Sequence, residues 1–147
     1  MSLIPKEKLT LFIHNRALYW GDNGATIYRR MPDTEPEKIV KRRNLGPIAY
    51  CSKMKRLYFV QEGNIVRYVE TTDEDKIYTV FTSEGEISNI QLAPNSLLYS
   101  LSESRQVRRF TFANKERSVF LRGTSVNSMV SYKRESPKPG MNIMRFL

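Results

Sequence analysis

A chain of 147 residues with 40% apolar and 27% charged side chains is long enough to bury a core and is expected to fold as one globular domain. Its one cysteine, Cys51, leaves no intrachain disulfide, which excludes a disulfide-stapled secreted module and favours a reducing compartment. The net charge of +9, from 24 basic against 15 acidic side chains, favours anionic partners such as an acidic protein surface or nucleic acid without choosing between them.

The opening residues, Met1 to Lys8, lack the apolar stretch of a signal peptide. No apolar run approaches the roughly 20 residues of a membrane helix. The expectation is a cytoplasmic chain without membrane insertion, or an extracellular one if it is a fragment of a receptor-like chain.

Along the chain the first strand-like run is Leu9-Thr10-Leu11-Phe12-Ile13, followed by Leu18-Tyr19-Trp20 and Ile27-Tyr28-Arg29. A third β-prone patch is Lys38-Ile39-Val40-Lys41. The pattern then recurs. Leu57-Tyr58-Phe59 and Leu98-Tyr99-Ser100 echo Leu18-Tyr19-Trp20, with the tyrosines 39 and 41 residues apart. Ile65-Val66-Arg67 and Val107-Arg108-Arg109 echo the second patch; Ile77 to Phe81 and Ser118 to Leu121 echo the third. Gly46, Gly85 and Gly123 close the units, each followed by another short β-prone stretch. Turn residues punctuate the runs at Asp22-Asn23-Gly24, Met31-Pro32-Asp33, Glu62-Gly63-Asn64 and Ala93-Pro94-Asn95.

Four strands repeating about every 40 residues are the signature of propeller blades. The fold class expected is all-β, a partial β-propeller of about three four-stranded blades plus one trailing strand. A β-sandwich or small barrel is the rival, but neither has a reason to keep one period through three units. The units are set at about 9–45, 46–84 and 85–122, with the trailing strand reaching 132. Residues 133–147, which include Ser136-Pro137-Lys138-Pro139-Gly140, read as a tail or linker.

Leu18-Tyr19-Trp20-Gly21-Asp22 followed by Ile27-Tyr28-Arg29 resembles the YWTD-type repeat of lipoprotein-receptor propellers, whose blades read L-Y-W-[TS]-D and then I-x-R. The resemblance spans residues 9 to about 130. The later units depart from it, reading Tyr58-Phe59-Val60-Gln61 and Tyr99-Ser100-Leu101-Ser102 without the Trp and the Asp. It implies a non-catalytic binding platform. Propellers generally need four to eight blades, so three call for completion: by a second copy, by a partner, or by more of the same polypeptide. Self-association or a protein partner is therefore expected.

No Ser/His/Asp pattern, Gly-rich phosphate loop or CxxC pair occurs, so neither catalysis nor a cofactor is expected. His14, the only histidine, lies beside turn residues and reads as a surface residue; Cys51 reads as a small half-buried hydrophobe. Lactonase-type propellers, which share such strand patterns, use a Glu, an Asn and an Asp around a metal. Asp22, Asn64 and Asn95 stand here at turns in unrelated registers. Basic clusters are prominent: Arg29-Arg30, Lys38 with Lys41-Arg42-Arg43, Lys53 with Lys55-Arg56, and Arg105 with Arg108-Arg109. With tyrosines among them they could hold nucleic acid, although Lys and Arg also protect sheet edges. Arg29, Arg67 and Arg108 are expected at equivalent places along one rim. Tyr19 and Trp20 should face opposite sides of their strand, one packed between blades and the other toward a partner. The candidate interaction residues are thus Tyr19, Trp20, Arg29, Arg67, Arg108 and Arg109.

Overall fold

The computed structural model describes residues 11–14, 17–22, 24–123, 129–133 and 142–146, with backbone alone at 11–14, 22, 73–75, 129–133 and 142–146. The chain divides into two compact units, Met1–Glu84 and Gly85–Leu147. The described residues form strands and turns, with no helix.

The first unit holds two antiparallel sheets. One consists of β1 (Leu11–His14), β2 (Ala17–Asp22), β3 (Thr26–Arg30) and β4 (Glu37–Lys41), in that order across the sheet. The other repeats it with β5 (Leu45–Cys51), β6 (Arg56–Gln61), β7 (Ile65–Glu70) and β8 (Asp73–Thr82). The second unit holds a third such sheet: β9 (Ile87–Ala93), β10 (Ser96–Leu101), β11 (Gln106–Thr111) and β12 (Arg117–Arg122). It also holds a two-stranded sheet of β13 (Met129–Lys133) and β14 (Asn142–Phe146). The fold is thus all-β, a partial β-propeller with three four-stranded up-and-down sheets.

The repeat extends to irregularities. The third strand of each sheet carries a register shift against the fourth at an equivalent place: between Ile27 and Tyr28, Val66 and Arg67, and Val107 and Arg108; β7 has a second between Val69 and Glu70. The residue before each shift, Ile27, Val66 or Val107, is fully buried. These anchors correct the expected alignment. Arg67 and Arg108 fall in step with Tyr28, whereas Arg29 falls in step with Tyr68 and Arg109. The buried β-branched residue fixes the register, and Arg29 lies two positions after it where Arg67 and Arg108 lie one. The tyrosine echoes slip likewise. Tyr19 and Tyr58 match, but Tyr99 matches Trp20 and Phe59, because Leu101 and Gln106 close four residues where Gln61 and Ile65 close three.

The sheets of the first unit share one core. Tyr19 and Ile27 of the first meet Leu57, Phe59 and Val69 of the second, and Ile39, Val40, Leu45 and Ile48 close it. Leu57, Phe59 and Val69 are fully buried. Burying each such side chain contributes about 1.5–3 kcal/mol.

Backbone ties connect turns to the connectors. Leu45 N donates to Gly24 O at 2.6 Å and Ser83 N to Asn64 O at 2.7 Å, so each connector is bonded to the preceding hairpin turn. Asn44 O accepts from Glu62 N and, in the second unit, Glu86 O accepts from Ser102 N. Of the recurring glycines only Gly123 needs a left-handed backbone, with φ of 71°. Gly46 lies inside β5 and Gly85 just before β9.

Two expectations need amendment at the ends. Leu9 and Thr10 of the first run, and residues 126–128 of the trailing strand, lie outside the described residues. The trailing strand is paired: β13 runs antiparallel to β14, from Met129↔Phe146 to Lys133↔Asn142. Part of the supposed tail is therefore a strand. Pro137, Pro139 and Gly140 give the segment its linker composition, and β14 begins after them.

Candidate functional site

Alternation along β2 separates the leading candidates, as expected. Tyr19 is buried, 4% exposed, and stacks on Tyr50 of the second sheet with ring centroids 5.4 Å apart. Trp20 points to the other face, half-buried, and stacks on its cross-strand partner Tyr28 at 5.4 Å and 17°. The pairings Leu18↔Arg30, Tyr28↔Lys38 and Thr26↔Lys41 place these residues on the Trp20 face, with Arg30, Lys38 and Lys41 exposed. Of the sequence candidates, this face holds Trp20 alone.

Arg29 shares the opposite face with Tyr19 and is engaged: its Nε and Nη2 donate to Glu37 Oε2 at 3.2 and 2.7 Å. Arg67 lies opposite Phe59 on β6, and its Nη1 donates to Gln61 Oε1 at 3.0 Å. Its Nε is buried and has no hydrogen-bond partner. Arg108 repeats the theme in the second unit, donating from Nη1 to Gln106 Oε1 at 3.4 Å. Arg109, on the other face of β11, is exposed, with its guanidinium 5.0 Å from the centre of the Phe120 ring. The arginines thus divide between packing roles and exposed ones.

A second aromatic row went unnoticed in the sequence. Tyr58, Tyr68 and Tyr78 are cross-strand neighbours on β6, β7 and β8, spaced ten residues apart. Their ring centroids are 5.4 and 5.0 Å apart, and exposure rises from 1% at Tyr58 to 40% at Tyr78. The Arg56 guanidinium lies 4.3 Å above Tyr68 and 3.7 Å from Glu70 Oε1. Burial raises the Tyr58 phenol pKa above its ordinary value, and the Arg56 hydrogen bond opposes this only in part. For Arg56, burial acts to lower the pKa, but the Tyr58 hydrogen bond, the two tyrosines and Glu70 together raise it. Even spacing on three adjacent strands was the available signal.

Asn64 and Asn95 serve turns: Asn64 O accepts from Ser83 N, and Asn95 O from Phe112 N, at a left-handed Asn95. Asp22 ends β2 and His14 ends β1, paired with Ala17. Cys51 is half-buried, as anticipated. Among the described residues no group of three His, Cys, Asp or Glu side chains could hold a metal ion. Among the described residues no helix is long and apolar enough to cross a membrane.

No family model matches the chain, and no curated protein does. Solved structures do. The chain is similar to one in a nidogen/laminin complex, with a TM-score of 0.65 and 14% identity over 78% of this chain and 47% of that one. It is similar to Saccharomyces cerevisiae Sqt1, with a TM-score of 0.67 and 11% identity over 95% and 42%. It is also similar to the N-terminal domain of Nup159, with a TM-score of 0.61 and 9% identity over 96% and 46%. The chain thus spans less than half the length of these structures. At such identities the likeness is one of fold, and it is a propeller fold.

Proposed function

We propose that the chain is a non-catalytic protein-interaction module, a partial propeller that self-associates or completes a larger ring. One observation carries this reading. Nearly the whole chain superposes on less than half of Sqt1 and of the Nup159 domain, so its sheets form a partial set. A blade without a neighbour leaves a sheet face that favours burial against another protein. The partly exposed Trp20–Tyr28 face of the first sheet has that character.

Further support comes from the company of the fold. Similar structures include a nidogen/laminin complex and a yeast assembly in which dbp5 is bound to nup159 and gle1. The YWTD-type assignment belongs to this proposal and is supported by Leu18-Tyr19-Trp20-Gly21-Asp22 with Ile27-Tyr28-Arg29. A cytoplasmic setting also belongs to it, supported by the lone Cys51.

Light scattering over about a hundredfold range of concentration, with and without candidate partners, tests the proposal. A dimer, or a stoichiometric complex, is the expected result. A monomer that binds no protein, and whose Trp20 emission already reports full burial, overturns it.

A further inference from the structure

We infer that the Trp20–Tyr28 face of the first sheet docks an acidic protein surface in preference to a second copy of this chain. The inference rests on the interaction-module reading and adds the chemistry of the partner.

Two stacked aromatic rings form the centre of this face, both half-buried. Arg30, Lys38 and Lys41 share the face along β3 and β4, all exposed. By register Asp22 is the one acidic residue of these strands on the face, because Glu37 lies on the other side, bound to Arg29. An aromatic centre with a charged rim is the anatomy of a protein–protein interface: buried Trp and Tyr supply the affinity, and rim charges select the partner and speed encounter.

Charge decides against a second copy. Pairing this face with itself would set Arg30, Lys38 and Lys41 against their own counterparts, in a chain whose net charge is +9. Like charges across an interface cost several kcal/mol, whereas carboxylates placed opposite would be attracted. Nucleic acid fits less well, since single-strand binders track the backbone along a basic groove. Here three cations lie to one side of a pair of rings that already stack on each other.

Trp20 is the only tryptophan, so its emission reports on this face directly. The probe is a glutamate–tyrosine copolymer, which combines carboxylates with aromatic rings. The expected result is a saturable shift in Trp20 emission that weakens with salt, with half-saturation raised at least about tenfold in the Lys38→Glu/Lys41→Glu variant. Should that variant lose its β circular-dichroism spectrum, Lys38→Gln/Lys41→Gln should still raise it about threefold. A thymidine oligonucleotide that shifts Trp20 at lower concentration than the copolymer overturns the inference in favour of nucleic acid. A concentration-dependent shift in the chain alone overturns it in favour of a second copy, and leaves the interaction-module reading standing. No response in any arm, with a monomer by light scattering, ends both.

Discussion

Tyr19 and Tyr50 stack across the two sheets of the first unit, with ring planes 23° apart. Tyr19 is buried from β2, and Tyr50 is half-buried from β5 with its hydroxyl 3.5 Å from Thr71 Oγ1. The stack therefore joins separate sheets as well as filling space. Tyr19→Ala should cost about 3–4 kcal/mol, and the less buried Tyr50→Ala about 2 kcal/mol. The double variant should reveal a coupling of about 1 kcal/mol in urea unfolding. Strict additivity would mean that the ring contact adds nothing beyond burial.

Tyr58 sets an alkaline limit to stability. Burial raises its pKa above the unfolded value of about 10, so the native state holds this proton more tightly than the unfolded chain does. Its contribution is complete below pH about 10 and is lost as pH rises through the native pKa. Tyr58→Phe should flatten this part of the pH–stability curve. At neutral pH it should cost about 1 kcal/mol for the hydrogen bond with Arg56. Urea midpoints for both proteins from pH 8 to 11 would show it.

Arg67 and Gln61 test how a half-buried guanidinium is tolerated. Gln61→Leu takes away the acceptor of Nη1 while leaving the buried Nε in place, and should cost about 1–3 kcal/mol. Arg67→Met removes the charge and keeps much of the volume, so it should cost less. Equal losses in thermal unfolding would contradict this account.

Lys55 closes the loop between β5 and β6 with φ of 53°, and its carbonyl accepts from both Thr71 N and Thr71 Oγ1. A β-branched residue is poorly suited to that backbone. Lys55→Val should destabilise by about 1–2 kcal/mol, while Lys55→Gly should be neutral or better by up to about 0.5 kcal/mol. The order of the two melting temperatures decides the point.

Much of this architecture was legible because a period near 40 survives sequence drift. Ile27, Val66 and Val107 must all fill the interior, and the turns need Gly, Asn and Pro. Registers within the repeat were harder to read. Arginine recurs near each anchor, but an arginine one place along belongs to the opposite face, and composition carries no memory of that parity. The Trp20 face was half legible: alternation separated Trp20 from Tyr19, whereas Lys38 and Lys41 reach that face through a bulge, and no bulge is marked in the sequence. The strand β14 was hidden by the prolines before it.

The bond from Leu45 N to the Gly24 carbonyl means that where the second sheet begins is specified by a turn of the first. Ser83, just after β8, is bonded in the same way to Asn64. The turn of the second sheet is also bonded backward, through Glu62 N to Asn44 O in the connector before it. A residue inserted into the turn at Gly24 would disturb the start of the sheet that follows it, while an insertion at Asn64 would disturb its bond to Ser83 and, through Glu62, the connector at Asn44. The aromatic face beside Trp20 belongs to the sheet whose turn sets the start of the second.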